Sequence, residues 1–418
     1  MKRWTARLVI GMLLYGVVIG LYFTFGNLYE PSPQYAGTAA DPSTFLAPEQ
    51  IRKGESLSRI HSLAYFIMTP LQVVVLLLLL GFGVGLRTRL ERLTRFSLLR
   101  IGGFVLVFLA VTGALFLPLD YAMLQIDRAY GLSTTTTATF FADLGKDLAI
   151  EWVSTTFIVV ILLWLMRRSP KRWWLWLSIV AIPISVFLTF VQPVVLDPLY
   201  HTFQPLRKEP LRTEILELAA KADIPANQVF EVNMSERTNA VNAYVNGIGS
   251  NARIVLWDTT LNKLKDDEIL TIMAHEMGHY KEKHIYWQVA VGIIVTFFSL
   301  WAAYRLYEWL LRKAAPLVGI RQGGKGQDLA ALPVLLIAVS LVGIVLTPAQ
   351  NVFSRFLEQR ADAYAMQMTG DGDAAIRAFQ KIARDNLSPI KQPLLVTLFR
   401  GTHPSIQDRI LYFSQFEK

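Results

Sequence analysis

The chain has 418 residues, 53% of them hydrophobic and only 17% charged, with mean hydropathy +0.37; this excludes a string of soluble domains and points to membrane spans. The net charge of +9 and pI near 9.6 do not imply a nucleic-acid partner, because the basic residues crowd short connections such as "LRTRLERLTRFSLLR" and "RRSPKR", as membrane topology requires. The absence of cysteine excludes disulfides, thiolate metal sites and a cysteine nucleophile, so zinc could be held only by His, Asp or Glu.

Seven apolar runs, at 8–26, 62–86, 99–119, 149–166, 173–194, 287–304 and 329–348, are long enough to cross a bilayer. The first follows Lys2, Arg3 and Arg7 and reads as a retained signal anchor, since no small-x-small cleavage site follows it. Residues 27–60 form a Pro-, Ala- and Ser-rich extramembrane loop. The amphipathic second half of 120–148 predicts an interfacial helix, with "STTTT" around its N-cap.

Residues 195–286 are the first long soluble block. "LRTEILELAAKADIP" spaces Leu211, Ile215, Leu218 and Ala219 as one helical face. "QVFEVNM", "NAYV" and "ARIVLWDTT" read as strands, with a Gly/Asn turn in "NGIGSN". "KDDEILTIMAHEMGHYKEKH" is helical, started by Asp266 and Asp267. The second block, 349–418, reads as helices, the first being "QNVFSRFLEQRADAYAMQMTG" with Gly370 as its stop. No internal repeat is present.

Three of the chain's six histidines fall within "HEMGHYKEKH". His275 and His279 are four apart, so on a helix they lie about 40° apart on one face and both imidazoles can reach one zinc. Glu276 sits beside the first, where a carboxylate can take a proton from an activated water. His-Glu-x-x-His on a helix is therefore a metalloprotease signature with a mechanism behind it. A third ligand is needed. On a continuous helix His284 lies about 140° round from His279 and points away, and Glu282 sits about 7 Å too far along the axis. In "FSRFLEQRADAYA", Glu358 and Asp362 share a helix face; one can bind metal while the other orients a ligand histidine. The bland alternative is a solvated ion-pair face with Arg355.

Five segments, "LDPLYHTFQPL", "NAYVNGIGSNARIVLWDTTL", "HEMGHYKEKH", "SRFLEQRADAYA" and "THPSIQDR", occur in the order of the type I CaaX prenyl proteases. The chain resembles that family of integral-membrane zinc metalloproteases of the gluzincin group. The resemblance implies a mainly α, multi-pass fold with seven transmembrane helices around a water-filled chamber. A zincin-like α+β catalytic domain would be formed by 195–286, with the HExxH helix, and 349–418, with the third ligand. Residues 1–194 would supply spans one to five, and 287–348 spans six and seven. It implies one zinc per chain on His275, His279 and Glu358, with Glu276 as general base and Asp362 behind a ligand histidine. Asn242 and His403 match residues beside the reacting carbonyl, and Arg409 the arginine six beyond that histidine. "HPS" departs from the family's usual His-Pro-Pro.

Chemistry of the residues supports two of these roles. His403 in a polar "GTHPS" loop could donate to a developing oxyanion, and "NAYV" could hold an extended peptide at a strand edge. The implied partners are the lipid bilayer and a peptide or protein substrate, C-terminal or membrane-associated. The implied location is a bacterial inner membrane. Prenylated-protein processing and membrane-protein quality control share this mechanism. An ion transporter would need charges within its spans, where Glu151 and Gln192 are the few polar candidates, and an inactive scaffold or chaperone would not need an intact ligand set. Seventeen Lys and Arg lie in the N-terminus and the short loops of one side, against five (Arg52, Lys53, Arg59, Arg128 and Lys146) on the other. The charge rule then puts the N-terminus in the cytoplasm and both soluble blocks across the membrane, whereas the resemblance to eukaryotic relatives implies the reverse, with the catalytic domain facing the cytosol.

Overall fold

The computed structural model describes residues 2–26, 28–190, 195–226, 228–246, 253–321 and 328–417. Its membrane part comprises α1 (Lys2–Phe25), α2 (Pro48–Leu78) continued after a break at Leu79 by α3 (Leu80–Leu93), α4 (Ser97–Ala129), α5 (Thr137–Arg168) and α6 (Trp173–Phe190). The extramembrane elements that follow are β1 (Phe203–Pro205), α7 (Glu209–Lys221), β2 (Val229–Val232), β3 (Ala243–Asn246), β4 (Arg253–Trp257), α8 (Asp258–Lys263) and α9 (Asp266–Lys281). Two long helices, α10 (His284–Val318) and α11 (Leu332–Thr369), return to the membrane, and α12 (Gly372–Asp385), α13 (Leu394–Phe399) and α14 (Ile406–Phe413) complete the chain. Among the described residues, seven helices are long and apolar enough to span a bilayer.

These spans form a ring. α2 packs on α11, α11 on α10, α10 on α6, α6 on α5, α5 on α4, and α4 closes against α2 and α3, with α1 outside on α2. Only 6–39% of each span's apolar window is buried, so among the described residues no helix fills the centre. The ring is shut at one end, where Leu80, Val105, Leu163, Trp173, Tyr307 and Val334 pack together. Lipid is as apolar as these side chains, so close packing rather than water exclusion holds that plug.

The extramembrane core follows the opposite logic. Leu211, Ile215, Leu218 and Ala219 of α7 are buried as their spacing predicts. They join Ile254, Leu256, Ile269, Met273, Met277 and Ile410 in one cluster, where each large apolar side chain contributes about 1.5–3 kcal/mol by leaving water. The sheet order is β1-β2-β4-β3, with β2 and β4 parallel and both outer pairs antiparallel. β3 is therefore an edge strand, and it lies against α9. The first loop is tied to this core through Ala40 and the Ala39 carbonyl, which accepts from Gln380.

Two expectations are corrected. There is no separate interfacial helix in 120–148, since α4 runs on to Ala129 and α5 begins at Thr137 and enters the membrane without a break. Thr136 caps it, its hydroxyl accepting the Thr139 N–H at 3.1 Å, so the threonine run is an N-cap but of a span. Likewise the helix expected to start at Gln350 is the far part of α11, which passes Pro348 unbroken and stops at Gly370 in the left-handed conformation. The seventh span thus carries Glu358 and Asp362 out of the membrane on one rigid rod. Gln192 and most of the turn in 246–251 lie outside the described residues.

Candidate active site

The acidic first turn of α9, Asp266 to Glu268, complements its dipole. Glu268 accepts the Lys265 N–H at 2.8 Å and pairs with Lys381 at 2.6 Å, fixing α9 to α12. Ile269, Met273 and Met277 turn into the core, which leaves His275, Glu276 and His279 on the face that lines a cavity of about 560 Å³ with Asn242, Glu358, His403 and Arg409. Gly278 sets how near α11 can come. A Cβ there would lie 3.0 Å from Cβ of Tyr364 and 3.2 Å from Cα of Ala361.

That close crossing brings three candidate donor groups together. Nε2 of His275 and Nε2 of His279 are 3.1 Å apart, and the Glu358 carboxylate oxygens lie 3.4 and 3.3 Å from them. Bonds of about 2.0–2.1 Å to a tetrahedral metal put ligand atoms about 3.3–3.4 Å apart, so the triangle fits one ion. Oε2 of Glu358 is buried and has no hydrogen-bond partner, a state that a cation relieves. Arg355 takes no part in an ion pair with Glu358 or Asp362, donating instead to the carbonyls of Thr397 and Gly401; the solvated ion-pair face is excluded.

Both histidines of the triangle are held from behind. Nδ1 of His275 lies 2.8 Å from Oδ1 of Asp362. Arg409 donates to that same oxygen and stacks 4.1 Å from the Phe379 ring. Burial opposes charge on His275, but its hydrogen bonds to Asp362 and Glu358 outweigh that and raise it to about 9, so a metal entering the triangle displaces a proton. Burial also pushes the Glu276 carboxyl up.

His284 is where the sequence reading fails. α9 ends at Lys281, Lys283 takes a left-handed φ of 57°, and a new helix starts at His284. The side chain therefore does not follow the α9 helical progression. It turns back, buried, with its Nδ1 2.9 Å from Nδ1 of His279 and its Nε2 3.1 Å from Glu282. Glu282 in turn receives a two-pronged bond from Arg360, at 2.9 Å to each oxygen. Sequence spacing carries no sign of this, because it assumes a continuous helix; Lys283 in the left-handed region breaks it.

Asn242 precedes the edge strand β3. Its backbone is clamped by Thr260, which accepts its N–H at 2.8 Å and donates to its carbonyl at 2.6 Å. Its Oδ1 accepts the Ala243 N–H, leaving the side-chain NH2 as the group available to a ligand. Nδ1 of His403 meets the Thr402 hydroxyl at 2.8 Å, while Nε2 faces the site 3.6 Å from Glu358. The loop between α4 and α5 reaches this region too, with Thr134 and Ser133 bonded to the 235–238 segment that leads into Asn242.

A ring of spans opening onto an HExxH helix, with a third carboxylate donor carried by a span, defines an integral-membrane metalloprotease. The model of peptidase family M48 matches residues 205–415, and that of the CAAX prenyl protease N-terminal region, five membrane helices, matches 44–202. The chain belongs to peptidase family M48. It is 41% identical to the Bacillus subtilis protein called uncharacterized metalloprotease YhfN, over all of this chain and 98% of that one. It is 26% identical to CAAX prenyl protease 1 of Saccharomyces cerevisiae, over 70% of this chain and 67% of the relative. The crystal structure of Saccharomyces mikatae Ste24p superposes with a TM-score of 0.80 at 21% identity, covering 98% of this chain and 97% of that one, so the whole architecture is shared.

Proposed function

We propose that the chain is a zinc endopeptidase, with the ion on His275, His279 and Glu358. The observation that carries this reading is the donor triangle with 3.1–3.4 Å edges. Zinc there would leave one position to water and supply the Lewis acidity that brings water's pKa toward 7. Glu276, on the same face, takes a proton from the attacking water and passes it to the leaving amine. As the scissile carbonyl oxygen gains charge, His403 and Asn242 donate to it. A hydroxyl proton from Thr402 on Nδ1 would keep the His403 proton on Nε2, the atom that faces the site. Asp362, itself held by Arg409, keeps His275 with its proton on Nδ1 and its lone pair on Nε2.

The substrate is a peptide or protein segment laid in extended form along β3, whose outer edge is free for strand addition among the described residues. The relatives named as CAAX prenyl proteases, together with the cavity's position at the mouth of the span ring, favour a membrane-associated substrate cut near its C-terminus. The catalytic unit is built from 195–286 and 349–418, with 1–194 and 287–348 as the membrane wall, in a bacterial inner membrane. Metal analysis combined with cleavage of a peptide by the purified protein tests the proposal. One zinc per chain and loss of cleavage with Glu276→Gln are expected; cleavage at the wild-type rate by that variant would overturn it.

A further inference from the structure

At the closed end of the ring, opposite the catalytic cavity, a second cavity of about 190 Å³ opens between the ends of α3, α4 and α5 and the segment before α11. Four guanidinium groups line it, Arg87, Arg100, Arg167 and Arg321, against two carboxylates, Glu91 and Asp328. The carboxylates are already used. Glu91 takes a two-pronged bond from Arg321 at 2.8 and 3.0 Å. Asp328 pairs with Arg87, accepts the Arg321 N–H at 2.9 Å and caps Ala330 at 3.0 Å.

Two positive charges remain. Among the described residues the Arg100 side chain donates to the Arg95 carbonyl alone, at 3.2 Å, and Arg167 has no carboxylate partner. The Arg87 side chain is 7% exposed and is held in the wall by its pair with Asp328. Ser97 and Arg100 also line the cavity, which puts the N-terminus of α4 there, and its N-cap Phe96 supplies no side-chain cap. Planar guanidiniums and open helix N–H groups are the two features that fit a phosphate.

We propose that this cavity binds the phosphate of an anionic phospholipid headgroup. The lipid source follows from what borders the site. Phe96, Leu98 and Leu99, beside Ser97, are 58–61% exposed on a transmembrane helix, where acyl chains can cover them. The cavity also sits at the end that carries most of the chain's short-loop Lys and Arg, the level at which phosphates of an anionic leaflet lie. A soluble phosphate would use the guanidiniums but leave those apolar side chains uncovered.

The test is native mass spectrometry of the full chain in a non-ionic detergent, titrated with phosphatidylglycerol or phosphatidylcholine. The R100Q/R167Q variant removes the two unpaired charges and leaves both ion pairs intact. Phosphatidylglycerol affinity should fall about 30-fold in it, and about fivefold in the exposed single change R167Q, while phosphatidylcholine binding stays unchanged in both. The single variant decides the matter should the double one fail to fold. Equal phosphatidylglycerol affinity in wild type and variants would overturn the proposal. Displacement of bound phosphatidylglycerol by equimolar inorganic phosphate would overturn the lipid assignment in favour of a soluble anion.

Discussion

The Nδ1 atoms of His279 and His284 lie 2.9 Å apart, and only one of them can carry the proton between them. In the proposed metal site His279 offers the lone pair of Nε2 to the ion, and its Nδ1 would then hold the proton and donate to His284. His284 is then protonated on Nε2, which donates to Glu282, and Arg360 fixes Glu282 from outside. The same logic orders His275 through Asp362 and Arg409. Each histidine of the proposed metal site thus has its own chain of outer partners, one reaching α11 near the surface and one within the core. Outer partners of this kind typically contribute 10–100-fold in metal affinity. His284→Ala should therefore weaken metal binding by that range in a chelator competition, with Glu282→Gln showing a smaller loss. Unchanged affinity in His284→Ala would remove it from the site.

Glu276→Gln should keep metal stoichiometry and abolish cleavage, since the amide preserves shape but cannot accept a proton. The pH profile adds a sign. Glu276 is raised by burial and, as the proposed base, can act only when ionised, so kcat/KM should fall on the acid side at a higher pH than an ordinary carboxylate would give. Metal affinity should fall in the same direction, because His275, raised to about 9, holds its proton more firmly as pH drops. Isothermal titration in buffers of different ionisation enthalpy would count the proton released.

His403→Ala should retain the metal and lower kcat at least tenfold; removal of one oxyanion donor commonly costs about 100- to 1000-fold. Loss of metal in this variant would make the residue a holder of the ion instead. Thr402→Val, which leaves the imidazole but frees its tautomer, should reproduce part of the defect.

Gly278→Val should part α9 from α11. Its side chain would meet Tyr364 and Ala361 at distances the backbone cannot yield, and overpacking of this kind costs about 1–3 kcal/mol. Both the melting temperature and the metal content should drop, because the triangle depends on the crossing. A variant with full metal content would show that α11 can shift without moving Glu358.

Topology is testable without removing any native thiol, as the chain has no cysteine. A cysteine at Glu217, exposed on α7, should react with an impermeant maleimide in intact cells whose outer membrane, where present, is permeabilised. Labelling only after lysis would reverse the orientation given by the charge asymmetry.

The sequence by itself determined the elements whose cause is local. Apolar runs fixed seven spans because a bilayer demands a set length of hydrocarbon-compatible helix. The i, i+4 spacing of His275 and His279 put two imidazoles on one face, because one helix carries both. The buried face of α7, the cap at Thr136 and the stop at Gly370 were legible for the same reason, each depending on a few neighbouring residues. What the tertiary structure decided depends on pieces distant in the chain or on a backbone break. The choice of Glu358 over Asp362 as the residue in the triangle rests on how α11 crosses α9, two helices far apart in sequence. The partnership of His279 with His284 rests on Lys283 leaving the helix. The closed ring, and the arginine cavity at its shut end, arise only when six helices from different parts of the chain meet, and side-chain periodicity encodes a face but not the partner it will find.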